Sequence, residues 1–223
     1  MDKTIYVINP NCLVEVTRGL KASLAPFEWN AGPRIECMTL RDGPPGIQTE
    51  QHVESAALLV GRLVADLEQT RGDQVGAYVI ACFSDPGLYL ARDQTRKPVL
   101  GIQECGLLTA MSLGQRVGVI AILKTLMNRH ARAYAAAGIA SRIAGELPLS
   151  LGVAELQDEG TTRARLLEVG RRLRDEYGSE VLVLGCAGMP QYRAWLEDQL
   201  AVPVVDPTMA AVAMALGRVL DAG

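Results

Sequence analysis

Aromatic residues make up only 4% of the 223-residue chain, histidine occurs twice, and no two cysteines stand at CxxC spacing. Each scarcity removes a class of function. So few rings cannot build the stacking platforms of a single-strand binder, and a net charge of −3 supplies no basic field for phosphate backbones or anionic membranes. His52 and His130 are isolated and each reads as a solvated helix residue, while Cys12, Cys37, Cys82, Cys105 and Cys186 are scattered; no metal site is expected from these spacings. An odd set of distant cysteines also makes a disulfide framework a poor reading.

No apolar run reaches the roughly 18 residues of a membrane span. The nearest, Val202–Leu220, contains Asp206, Arg218 and two prolines. Thr4–Ile8 is halted by Asn9-Pro10-Asn11 too soon to read as a signal peptide, so a cytoplasmic location is expected. G-x-G-x-x-G, G-x-x-x-x-G-K-[ST] and G-x-S-x-G are missing, which leaves nucleotide cofactors and a hydrolase elbow without support.

What is present is an ordinary globular composition, 49% apolar, that can fill a core. Short apolar strands are predicted at Thr4–Ile8, Ile35–Leu40, Val75–Ala81 and Pro98–Ile102, then again at Val117–Leu123, Ser141–Glu146, Val181–Gly185 and Pro203–Val205. Helical patterns lie near Thr49–Gln69, Leu126–Ala137, Thr161–Tyr177 and Met209–Leu220. Strand–helix alternation with continuously apolar strands predicts an α/β fold of parallel sheets covered on both faces.

The second half repeats the first. Tyr78-Val79-Ile80-Ala81-Cys82 aligns with Leu182-Val183-Leu184-Gly185-Cys186, Pro98-Val99-Leu100 with Pro203-Val204-Val205, and Ala110–Gly114 with Ala213–Gly217. The intervals from cysteine to proline are 16 and 17 positions. Two pseudo-symmetric lobes are therefore expected, each with a mainly parallel sheet of about four strands flanked by helices. We divide the chain into 1–103 with 207–223 and 104–206, with an active site in the cleft between them.

Ligands of parallel sheets bind beyond the carboxyl ends of the strands, where Cys82 and Cys186 both fall. Phe83-Ser84-Asp85-Pro86-Gly87 and Ala187-Gly188-Met189-Pro190 follow them as turns that present free backbone N–H groups, expected to lower both thiol pKa values and to cradle an enolate. Two thiols facing one carbon suit cofactor-free racemization, one removing a proton as thiolate and the other delivering one as thiol. Catalytic roles are therefore expected for Cys82 and Cys186, with Cys12, Cys37 and Cys105 as bystanders.

Ile8-Asn9-Pro10-Asn11, Ala81-Cys82-Phe83-Ser84-Asp85-Pro86-Gly87, Pro98-Val99-Leu100-Gly101-Ile102, Leu184-Gly185-Cys186-Ala187-Gly188-Met189 and Pro203-Val204-Val205-Asp206-Pro207 together resemble the aspartate/glutamate/hydantoin racemase superfamily, in its hydantoin and allantoin racemase branch. The resemblance spans nearly the whole chain. It implies a two-lobed α/β fold, the Cys82–Cys186 acid/base pair, and substrate contacts from Asn9, Pro10, Asn11, Phe83, Ser84, Ala187 and Gly188. Two departures stand out: Pro44–Gln48 has glycine and glutamine where the family's G-P-x-S-I-E loop has serine and glutamate, and Val119-Ile120-Ala121-Ile122 replaces a V-T-T segment with a more apolar wall. The expected substrate is a 5-substituted hydantoin or allantoin. A dicarboxylic-acid racemase, isomerase or decarboxylase of the amino acid, maleate or arylmalonate type is the alternative, and a non-catalytic small-molecule module a second. The expected partners are the small-molecule substrate and further copies of the chain as a homo-oligomer, with no nucleic acid and no membrane.

Overall fold

A computed structural model describes residues 3–221. Eight strands form two four-stranded sheets, and every strand pairing is parallel. The first sheet contains β1 (Thr4–Asn9), β2 (Arg34–Thr39), β3 (Val75–Ile80) and β4 (Val99–Gly101) in the order β2-β1-β3-β4. The second contains β5 (Val117–Ala121), β6 (Ile143–Pro148), β7 (Val181–Gly185) and β8 (Val204–Val205) in the matching order β6-β5-β7-β8. The repeat read from the sequence is thus a repeat of topology.

The central strands β1, β3, β5 and β7 are apolar without alternation because both faces are covered, whereas the edge strand β2 exposes Arg34 and Glu36 on either side of buried Ile35. On β1, Ile5 and Val7 face the large cluster that runs through both halves, while Tyr6 and Ile8 face a second cluster with Val60 and Val64. Those valines belong to α2 (Glu50–Arg71), which starts where the Thr49 hydroxyl accepts from the His52 N–H, with Glu50 in its first turn and Arg71 in its last. On β7, Leu182 and Leu184 join the first cluster, and Val181 and Val183 a third that includes Phe83 and Tyr134.

Helices α1 (Val14–Leu24), α3 (Leu88–Gln94), α5 (Met127–Ala136), α6 (Glu159–Asp175) and α7 (Arg193–Leu200) flank the sheets. The other two cross between them. Helix α4 (Ile102–Leu113) leaves the first sheet and packs on β7 and β8, and α8 (Pro207–Asp221) leaves the second and packs on β3 and β1, the two helices also packing on each other. A division at 103/104 falls in the first turn of α4.

Two strand ends differ from expectation in ways that bear on function. Strand β5 ends at Ala121, so Ile122 and Leu123 leave the sheet. Strand β6 begins at Ile143 because Ala140–Arg142 form a 3-10 turn whose Arg142 guanidinium holds the carbonyls of Met111, Gly114 and Gln115. Pro148 ends it, as an edge strand permits. Among the described residues, no helix is long and apolar enough to cross a membrane.

Candidate active site

In each sheet the connections leave the central pair of strands in opposite directions, β1 with β3 and β5 with β7, which opens a crevice beyond their carboxyl ends. The two crevices meet in one cavity of about 540 Å³ including its mouth, lined by Asn11 after β1, Ala81–Ser84 after β3, Ile122 and Leu123 after β5, and Gly185–Gly188 around the end of β7. Both Cys82 and Cys186 line it.

The two thiols are held alike. The Ser84 N–H donates to the Cys82 sulfur, and the Gly188 N–H donates to the Cys186 sulfur at 3.3 Å, in each case from the residue two positions on. Before Cys186 the backbone closes tightly on β5: a Cβ on Gly185 would stand 2.7 Å from the Ile120 carbonyl oxygen. After Cys82 the chain turns through Asp85 at φ 43°, a left-handed conformation that aspartate tolerates better than most residues.

The Asp85 carboxylate accepts from the N–H groups of Gln103 (3.0 Å) and Glu104 (3.2 Å), so it caps α4 from a distance and anchors the Cys82 loop to that helix. In the other half the corresponding cap is Asp206, which sits at the start of α8 and accepts from the Met209 N–H at 2.8 Å. Gly101 occupies the position equivalent to Asp206, and a side chain there would collide with the Asp85 carboxylate. Burial pushes Asp85 up to about 8 and Asp206 up to about 6, in both cases against the pull of the capping N–H groups.

Burial dominates the thiols as well. It pushes Cys82 up to about 12, opposed by the Ser84 N–H and assisted by the charge of Cys186, and it pushes Cys186 up to about 11, opposed by the Gly188 N–H and assisted by Asp206. This corrects the expectation of lowered thiol pKa values. A single N–H donor per sulfur does not offset removal from water.

Of the other expected contacts, Asn11, Phe83, Ser84, Ala187 and Gly188 line the cavity. Asn9 and Pro10 do not. Asn9 is wholly buried behind the wall, where its amide nitrogen donates to Asn11 Oδ1, Leu13 O and Thr17 Oγ1, and its Oδ1 accepts from the Asn11 N–H. Asn11 Oδ1 is thereby filled by Asn9 and the Leu13 N–H, which leaves its NH₂ as a donor for the cavity. The Pro10 carbonyl packs against Gly43 instead.

Several lining residues lay outside the expected set. Ile47 and Gln48 come from the Pro44–Gln48 loop, and Ile122 and Leu123 supply the apolar wall that the Val119–Ile122 departure anticipates. His130 is the main omission. It is 4% exposed, lines the cavity and bonds Ser84 and Glu146, which overturns its reading as a solvated helix residue. His52, in the first turn of α2, is half-buried, and its Nδ1 accepts from the Gln48 N–H.

At the surface, side chains of α2 and α5 and of the segments before them link the two lobes. Arg129 of α5 pairs with Glu50 and Glu54 of α2 at 2.7 Å each, Arg132 pairs with Glu50 at 2.6 Å, and the Thr125 hydroxyl donates to the Gln48 carbonyl. Among the described residues, no group of three or more His, Cys, Asp or Glu side chains is placed to hold a metal ion.

Fold and cleft define a two-lobed α/β protein in which each half contributes a thiol at the same strand end. The sequence profile of the Asp/Glu/Hydantoin racemase family matches residues 5–215, and the chain belongs to that family. It is 31% identical over 215 residues to hydantoin racemase of Pseudomonas sp. (strain NS671), covering 95% of this chain and 84% of the relative. It is 32% identical over 213 residues to hydantoin racemase of Paenarthrobacter aurescens, covering 95% and 89%. The solved allantoin racemase of Klebsiella pneumoniae superposes with a TM-score of 0.91 at 30% identity, covering 99% of this chain and 89% of that one. The protein is an isomerase of the racemase type.

Proposed function

We propose that the chain racemizes 5-substituted hydantoins or allantoin without a cofactor, using Cys82 and Cys186 as the acid/base pair. One observation carries this reading: two thiols, one from each half and each bonded by the N–H two residues on, line a single cavity. The names of the hydantoin and allantoin racemases it resembles support the substrate class.

In the proposed reaction one thiolate takes the proton from ring carbon C5 and becomes a thiol, while the electron pair moves onto the adjacent carbonyl as an enolate. The opposite thiol then protonates C5 from the other face and becomes the thiolate, so the two sulfurs exchange roles with each turnover. In this reading the Asn11 NH₂, whose Oδ1 is already occupied, donates to the enolate oxygen. The Ile122 and Leu123 side chains offer no donors for the second carboxylate of a malonate or maleate.

Thiols raised by burial also suit a module that merely binds a ring compound, since such thiols stay protonated in the empty cleft. Isotope exchange separates the two readings. A single-enantiomer hydantoin or allantoin incubated with the protein in deuterated water should lose optical rotation and gain deuterium at C5. Retention of both rotation and proton across several hydantoins and allantoin would leave only binding. Cys82→Ser and Cys186→Ser should each abolish racemization, and an unchanged rate in either variant removes that sulfur from the mechanism.

A further inference from the structure

Ser84 ends a line of buried polar groups that the two-thiol chemistry does not use. Its Oγ lies 3.1 Å from His130 Nε2, His130 Nδ1 lies 2.6 Å from Glu146 Oε1, and the Tyr134 hydroxyl donates to Glu146 Oε2 at 3.1 Å. The side chains of His130 and Glu146 are 5% and 7% exposed. His130 also meets the ring of Phe83 edge-on, with centroids 5.3 Å apart. Glu146 stands on β6 beside Val119 of β5, His130 on α5, and Ser84 on the loop after β3. A histidine–carboxylate pair from the second sheet's half thus reaches across the cleft to one hydroxyl of the first. Buried pairs of this kind are destabilising unless each member is satisfied, and here each one is.

For an uncharged His130 ring the hydrogen bonds run in one direction. A carboxylate only accepts, so Nδ1 carries its hydrogen toward Glu146, and Tyr134 supplies the second donor. In that ring Nε2 offers a lone pair and accepts a hydrogen bond from the Ser84 hydroxyl. With its hydrogen engaged there, Ser84 Oγ keeps lone pairs to accept with, and Ser84 lines the cavity.

We propose that Glu146 and His130 hold Ser84 as a hydrogen-bond acceptor on the Cys82 wall, so that the cleft selects substrates with an N–H beside the carbon that exchanges its proton. The inference rests on the racemase reading and narrows its substrate class. Because the Ser84 N–H bonds the Cys82 sulfur, the acceptor lies next to the thiol that would meet C5. In a hydantoin, C5 lies between N1–H and the C4 carbonyl. N1–H meets Ser84, and the carbonyl is left for Asn11. A malonate or maleate carries no such N–H and sets lone pairs against lone pairs. Ser84 is the binding residue, and His130 and Glu146 are positioning residues that act through it.

The first test reads the proton directly. The chain has two histidines, so ¹⁵N-histidine NMR at pH 8 shows two rings, assigned with a His52→Gln variant. His52 accepts at Nδ1 and should be the Nε2–H tautomer, whereas His130 should be Nδ1–H. Finding His130 as Nε2–H or as imidazolium overturns the proposal, whether or not any compound is turned over. The second test compares deuterium exchange of 5-benzylhydantoin with that of 5-benzyloxazolidine-2,4-dione, in which a ring oxygen replaces N1–H at nearly the same shape. The ratio of their kcat/KM values should fall by about 10- to 100-fold from wild type to Ser84→Ala. It should fall likewise in Glu146→Gln, where the amide can donate to Nδ1 and move the ring proton to Nε2. An unchanged ratio in Ser84→Ala with hydantoin still turned over refutes the selectivity and leaves the racemase reading standing. If wild type exchanges neither compound and also leaves the other hydantoins and allantoin unchanged, the proposed racemization fails and takes the selectivity with it.

Discussion

If the cleft thiols act as proposed, the exchange rate is limited by how seldom one of them is ionised, and it should climb steeply with alkali. With Cys186 pushed up to about 11, only about one molecule in a thousand holds it as thiolate at pH 8, a free-energy gap of about 4 kcal/mol. Proton exchange needs one thiolate opposite one thiol, so the reactive form is the singly deprotonated pair. The charge of the first thiolate pushes the second ionisation higher still, which keeps the doubly deprotonated form out of the working range. The logarithm of kcat/KM for C5 exchange should therefore rise with unit slope from pH 7 to about 9.5, tenfold per pH unit. Proton NMR in deuterated buffers measures it, and an N3-methylated hydantoin removes ionisation of the imide from the profile. Alkylation of Cys82 and Cys186 by iodoacetamide, followed peptide by peptide, should show the same slope without any substrate. A plateau below pH 9 in both experiments would mean that the N–H donors outweigh burial, and the reasoning from desolvation would fail.

Stability should move the opposite way. Burial raises Cys37, Cys82, Cys105 and Cys186, so their contribution is intact below the ordinary thiol range and is lost as pH rises toward the folded values of about 11 and 12, at roughly 1.4 kcal/mol per pH unit for each thiol. Urea unfolding at pH 8, 9 and 10 should show this fall, and a flat profile would refute it. The two cap arrangements should be interchangeable: Asp85→Ala and Gly101→Asp should each destabilise by about 1–3 kcal/mol, the first by uncapping α4 and the second by collision with Asp85, while the double variant regains part of the loss by copying Asp206. Strictly additive losses in thermal unfolding would count against that equivalence. Arg129→Ala should cost no more than about 1 kcal/mol despite its two ion pairs, because Glu50 and Glu54 are largely exposed; a loss of several kcal/mol in urea titration would show that the α2–α5 contact holds the lobes together.

What the sequence determined by itself is local or repeated. Period-free apolar runs of three to six residues have few alternatives to buried parallel strands, and the doubled spacing from Cys82 and Cys186 to the following prolines carries the two-sheet topology with it. The cysteines were legible because strand ends are legible, and ligands of such sheets gather there. Phe83, Ser84, Ala187 and Gly188 followed as their neighbours along the chain, and Asn11 from the turn after the first strand that the family resemblance picks out. Only the tertiary structure decided the remainder. His130 reads as solvated because its helix, Met127–Ala136, is rich in polar residues, and the groups that bury it arrive from 16 positions downstream at Glu146 and 46 upstream at Ser84. Asn9 lies two residues from a lining side chain, yet strand pleating and its bonds to Leu13 and Thr17 turn it behind the wall. The direction of the thiol shifts was beyond reach for the same reason: the N–H donors that lower a thiol belong to the local turn, whereas the desolvation that raises it exists only once two lobes, a hundred residues apart in sequence, close on one cavity.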